Sequence, residues 1–126
     1  MNVVLDTCAL LALAAGDLSP HAVSEIRRAE QASVSSVTAW EIAIKVGAGK
    51  LQLNGPPERW FSDLLEHYHL REVPLDAELA CAAAALPKIH RDPFDRAIVA
   101  LARATDAVVI TSDERIRQYP GITVRW

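Results

Sequence analysis

The chain alternates short apolar runs with longer segments whose apolar residues recur at helical spacing. Asn2-Val3-Val4-Leu5 carries no charge, reads as a short buried strand, and is followed at once by Asp6. Residues 7–15 predict a helix that stops at Gly16, and Ser19-Pro20 supplies the N-cap and first-position proline of a second helix reaching about Gln31. Ala22, Ile26 and Ala29 mark its apolar face, opposite Glu25, Arg27, Arg28 and Glu30. Ser33-Val34-Ser35 predicts a second strand, and a helix from Val37 to about Ala48 follows with Trp40, Ile42, Ile44 and Val46. Asn54-Gly55-Pro56-Pro57 is the clearest turn, ahead of a helix holding Trp60, Phe61, Leu64 and Leu65. Residues 71–75 predict a third strand, with Pro74 marking a sheet edge or an exit. Asp76 caps an alanine-rich helix through Leu86, Pro87 breaks it, and Asp92-Pro93 opens a helix to about Thr105. Ala107-Val108-Val109-Ile110 is another wholly apolar strand, followed by a short helix at 113–119 and a last strand at 122–124.

Strands and helices thus alternate from end to end, with no internal repeat and no low-complexity linker. This pattern predicts a single three-layer α/β/α domain over residues 1–126, with a central, mainly parallel sheet of four to five short strands. A chain of 126 residues has room for one real core. Half of it is hydrophobic and 23% is charged, which excludes a disordered chain, and no apolar run is long enough to cross a bilayer. The first residues lack a basic leader and start directly as a strand, so no signal peptide is expected. Cys8 and Cys81 stand far apart without metal-type spacing, which suits a reducing cytoplasm. The formal net charge of −3 counts against a nucleic-acid partner unless several acids are gathered around a cation.

Four acids sit where such a gathering is expected. Asp6 ends the first strand, Asp113 closely follows the strand at 107–110, and Glu41 and Asp95 lie early in helices. Ligands of open parallel sheets bind beyond the carboxyl ends of the strands, and crossover helices begin at that same edge. All four acids therefore meet at one rim, where like charges repel unless they share protons or a cation. An all-oxygen donor set suits Mg²⁺ or Mn²⁺. Each acid also has a plainer explanation. Asp6, Asp92 and Asp113 suit helix N-caps, with Thr7 and Ser112 able to do similar work, and Asp95 in a first turn is favoured by the helix dipole. Glu41 has Lys45 one turn later as a salt-bridge partner. Capping residues collect at the rim in any case, so chemistry alone leaves a metal site and a set of helix caps both open.

Four segments together resemble the PIN domain family, and most closely its VapC-type toxin ribonucleases of VapBC toxin–antitoxin pairs. They are Val4-Leu5-Asp6-Thr7; Ser36-Val37-Thr38-Ala39-Trp40-Glu41-Ile42-Ala43-Ile44-Lys45; His90-Arg91-Asp92-Pro93-Phe94-Asp95-Arg96; and Ile110-Thr111-Ser112-Asp113. Each is weak alone, whereas the four in order cover nearly the whole chain. The resemblance implies a Mg²⁺- or Mn²⁺-dependent endoribonuclease whose catalytic, metal-holding acids are Asp6, Glu41, Asp95 and Asp113. It implies supporting roles for Thr111, with Ser112 as second choice, and for Thr7 and Asp92. Lys45 and Arg96 are expected to contact RNA phosphates. The implied partners are an RNA substrate, a cognate antitoxin and a second copy of the chain, with no membrane. The helices bearing Trp40, Trp60 and Phe61 are candidate contact surfaces, although core packing is the default for such aromatics. Cys8 departs from relatives that often carry His there. Two rival readings accompany this one: a metal-dependent phosphatase, weakened because Cys8 breaks the expected Asp-x-Asp, and a non-catalytic binding or regulatory module whose acids are caps.

Overall fold

The computed structural model describes all residues from Met1 to Trp126. Five strands form one sheet: β1 (Asn2–Leu5), β2 (Gln31–Ser35), β3 (Arg71–Val73), β4 (Ala107–Ile110) and β5 (Val124–Arg125). Their order is β3-β2-β1-β4-β5, and all four pairings are parallel. The seven helices are α1 (Thr7–Ala15), α2 (Pro20–Arg28), α3 (Ser36–Gly47), α4 (Pro57–His67), α5 (Ala77–Ala85), α6 (Pro93–Ala104) and α7 (Glu114–Arg117). No helix is long and apolar enough to cross a membrane.

The apolar strands β1 and β4 are central because both of their faces are covered. Alternate side chains of a strand point to opposite faces. Accordingly Val3 and Leu5 join one core of 16 buried residues with Leu10, Ile26, Phe61 and their neighbours from α1, α2 and α4. Val4 joins a second core of 15 buried residues on the other face, with Ile98, Val109 and Ile116 from α6, β4 and α7. Helix α3 feeds both, through Ile42 to the first and Val37 to the second. The result is the expected three-layer α/β/α arrangement.

Several boundaries differ from those expected. Helix α2 ends at Arg28, and Ala29 turns extended with φ −64° and ψ 141°. Gln31 then pairs with Asn2, so β2 starts two residues before Ser33 and the sheet takes what helical spacing assigned to the helix. Strand β3 is an edge strand that stops before Pro74, and Leu75 instead donates its N–H to Ser36 Oγ at 2.9 Å. The last strand is Val124–Arg125 rather than 122–124, because the Ile122 N–H closes a turn onto the Tyr119 carbonyl. Gly16 ends α1 as expected, in the left-handed conformation that glycine adopts without penalty (φ 76°).

The chain leaves β1 for β2 and β3 on one side, then crosses back to β4 and β5 on the other. The reversal places a crevice between the carboxyl ends of β1 and its neighbours, the usual binding position in an open parallel sheet.

Candidate active site at the carboxyl edge of the sheet

Asp6 is the most firmly held of the acids. It follows β1, is only 4% exposed, and caps α1 by accepting the Ala9 N–H on Oδ1 at 2.8 Å. Its other oxygen, Oδ2, accepts a hydrogen bond from Thr111 Oγ1, across the β1–β4 seam. Thr111 is itself buried and accepts the Asp113 N–H at 3.0 Å, so one hydroxyl ties Asp6 to the loop that carries Asp113. Burial pushes the Asp6 carboxyl above the ordinary range against the pull of these hydrogen bonds, and the charges of Asp113 and Glu41 add to the rise.

Asp95 sits in the first turn of α6. Burial, then the charges of Asp92, Asp113, Asp6 and Glu41, raise its carboxyl to about 7. The two preceding caps of this helix start are both Asp92 contacts: its Oδ1 accepts from Phe94 N at 2.9 Å and from Asp95 N at 3.4 Å. Asp113 caps α7 and behaves oppositely. Arg115 grips both of its oxygens, at 3.2 Å from Nε and 3.0 Å from Nη2, and holds its carboxyl below the usual range.

Glu41 lies on α3, largely covered, with Lys45 Nζ 3.4 Å from its Oε2. The charge of Glu41 is felt at both Asp6 and Asp95, which puts it on the same rim. Of the two phosphate contacts expected for Lys45 and Arg96, the structure gives each guanidinium or ammonium a different first partner. Lys45 pairs with Glu41. Arg96 clamps the α5–α6 connection by donating to the carbonyls of Ala84, Leu86, Pro87 and His90 at 2.8–3.4 Å. Thr7 faces α3, where its Oγ1 donates to Thr38 Oγ1 at 3.1 Å, and Ser112 is exposed while Thr111 makes the contact to Asp6. Cys8 is an exposed free thiol beside the acids, and burial and the Asp6 charge raise it. Trp40 does not join the core: it is 60% exposed and packs edge-on against Phe94, with ring centroids 5.1 Å apart.

Sequence reasoning passed over His90, although it opens the third motif. Its ring is 4% exposed, Nδ1 lies 2.7 Å from the Tyr119 hydroxyl, and Nε2 lies 3.3 Å from Asp95 Oδ2. That Nε2 is buried and makes no hydrogen bond, because the short approach to Asp95 lacks hydrogen-bond geometry. Tyr119 is 29 residues away, so no spacing rule links the pair. Arg115 was likewise unmarked, lying two residues past Asp113 on a helix too short to show a pattern.

The donor set fits a divalent cation. The buried Asp6 and the partly buried Asp95 are both pushed upward by desolvation and by the charge of neighbouring carboxylates, which a cation would relieve. Donor atoms of His90, Asp95 and Asp113 lie within 4.8 Å of one another, and one of them is an orphaned buried nitrogen. Asp6 and Glu41 lie outside this tightest group and border it.

The family model for the PIN domain matches residues 3–122. Ribonuclease VapC22 of Mycobacterium tuberculosis is 32% identical over 103 residues, covering 81% of this chain and 78% of the relative. Among solved structures, VapBC2 from Rickettsia felis, bound to a DNA fragment from their promoter, superposes over 99% of this chain and 98% of that one, with TM-score 0.73 and 14% identity. DNA-bound VapBC from Salmonella typhimurium matches over 99% of this chain and 97% of that one, with TM-score 0.69 and 20% identity. With the matched region running from β1 through the last turn, this chain belongs to the PIN domain family.

Proposed function

We propose that this chain is a Mg²⁺- or Mn²⁺-dependent endoribonuclease and the toxin of a type II toxin–antitoxin pair. The observation that carries the reading is the carboxyl-edge cluster, in which Asp6 and Asp95 are both driven above the ordinary carboxylate range at one rim. A helix cap needs no such crowding, and the crowding costs stability unless a cation relieves it. The relationship to a named ribonuclease over most of the chain supports RNA as the substrate class.

Asp6, Asp95 and Asp113 would hold the ion, with Glu41 completing the acidic wall. A divalent ion bound there would supply positive charge for activating a water and for stabilising a leaving 3′ oxygen. The protein supplies orientation. Thr111 and the Ala9 amide fix Asp6 from two directions, so this carboxylate needs no reorganisation when substrate arrives. Asp92 fixes the first turn of α6 and therefore the placement of Asp95. A cavity of about 510 Å³ beside the site is lined by Lys88, Ile89, His90, Arg91 and Arg96, and the exposed Lys88 and Arg91 suit an RNA phosphate, Arg96 being committed to backbone carbonyls. Cys8 is not an activated nucleophile, because burial and the Asp6 charge raise its thiol.

Protein partners follow from the surface. Trp40 and Ile44 lie one turn apart on α3 and are 60% and 48% exposed, an apolar strip adjoining the acids. We assign it to protein contact, with a second copy or the antitoxin. The solved relatives assembled as VapBC support an antitoxin partner.

The test is cleavage of total cellular RNA by purified, antitoxin-free protein, with end mapping, in Mg²⁺, Mn²⁺ or EDTA. Discrete cuts that need metal and vanish in Asp95→Asn are expected. A folded protein that cuts nothing with either metal would return the acids to capping and the chain to a binding role.

A further inference from the structure

We propose that His90 is a nitrogen ligand of the rim cation, bound through Nε2 beside Asp95 and Asp113. This rests on the reading of the rim as a metal site and adds a donor that the four acids do not provide.

The imidazole is anchored at one nitrogen. Its Nδ1 is 2.7 Å from the hydroxyl of Tyr119, a residue only 1% exposed, and the two rings lie 5.5 Å apart. In the tautomer that donates its Nδ1 proton to the Tyr119 oxygen, the lone pair is on Nε2. This is the arrangement in which metal-ligating histidines are held, one nitrogen anchored by a neighbour and the other free for the ion. Nε2 is buried, has no hydrogen-bond partner, and lies 3.3 Å from Asp95 Oδ2. A lone pair facing a carboxylate oxygen is repulsive unless something positive lies between them. Adjacent ligands on one ion with bonds of about 2.1 Å stand roughly 3 Å apart, close to the separation seen here. Asp113 completes the group, with all three donor atoms inside 4.8 Å. An imidazole donor is expected to favour Mn²⁺ over Mg²⁺, because Mg²⁺ is a hard ion that takes oxygen ligands and gives up its waters reluctantly. The alternative is a proton between Nε2 and Asp95, which would make His90 a positioning residue for that carboxylate.

Pulsed EPR of one equivalent of Mn²⁺ on the full-length protein separates these. Hyperfine coupling to a directly bound ¹⁴N is expected in the wild type and in Tyr119→Phe, and is expected to disappear in His90→Gln. Calorimetry of the same variants should show Mn²⁺ binding about tenfold weaker in His90→Gln, with Mg²⁺ binding changed far less. Mn²⁺ that binds without nitrogen coupling in the wild type, or coupling that persists in His90→Gln, would overturn this assignment and leave the acidic site standing. Failure of the wild type to bind Mn²⁺ at all would overturn both.

Discussion

Strands β1 and β4 lie side by side at the centre of the sheet and end alike, each leading into an aspartate that caps the next helix. Yet the two carboxylates are opposites. Asp6 is almost fully buried, accepts only neutral donors and is raised. Asp113 is nearer the surface, is gripped by the Arg115 guanidinium and is lowered. Capping therefore says nothing about charge state; the surroundings of the second oxygen decide it. The same contrast recurs between sequence neighbours on α6. Asp95 enters the acid cluster, whereas Arg96 is committed to four carbonyls of the preceding turn.

Asp6, the buried member of the pair, should be the most sensitive position. Asp6→Asn keeps an oxygen for the Ala9 N–H but removes the buried charge. RNA cleavage should fall by at least about 100-fold, while the melting temperature holds or rises because an unrelieved buried charge is gone. Unfolding of this variant, seen by circular dichroism, would mean that the carboxylate is there for the fold.

The second comparison makes the next test. Arg96→Ala should cost roughly 2 kcal/mol in urea unfolding, since several carbonyls lose a charged donor at once. Cleavage per folded molecule should change little. Unchanged stability with a raised KM for RNA would instead make Arg96 a phosphate contact.

A smaller change should follow from freeing Asp113. Arg115→Ala removes the competitor for both of its oxygens, so Mn²⁺ affinity should rise by a few-fold at low ionic strength. A fall would show that Arg115 orients the carboxylate for the ion.

The smallest effect concerns pH. Folded Asp95 keeps its proton up to about pH 7, whereas the unfolded chain loses it in the ordinary carboxylate range. Between those values the folded state binds more protons, so stability declines as pH rises toward and through 7. The melting temperature of metal-free protein should therefore drop by a few degrees from pH 5 to pH 8, and Asp95→Asn should flatten the slope. A flat wild-type profile would place Asp95 in a milder setting than its buried, crowded surroundings imply.

Much of this was legible in the residues. The apolar runs Val3–Leu5 of β1 and Ala107–Ile110 of β4 announce strands covered on both faces, and Ser19-Pro20, Asp76 and Asp92-Pro93 mark helix starts that the structure keeps. Strand-end acids, helix-start acids and the rule for parallel sheets lead to the expectation that Asp6, Glu41, Asp95 and Asp113 share one rim. What stayed hidden depends on long-range contact. The end of α2 is decided by the pairing of Gln31 with Asn2, and helical periodicity cannot register a competing strand. The His90–Tyr119 pair joins segments that meet only after the sheet has formed. Trp40 reads as core by residue type, but its exposure depends on which face of α3 meets the sheet, and that face is taken by Val37 and Ile42.

The rim acids are proposed to hold a divalent ion jointly. Calorimetric titration of the purified, antitoxin-free protein with Mn²⁺ tests this most directly, with Asp6→Asn and Asp95→Asn alongside. Saturable binding to the wild type is expected, lost or severely weakened in both variants while their circular dichroism stays native. Equal binding by all three proteins, or none by a folded wild type, would contradict it.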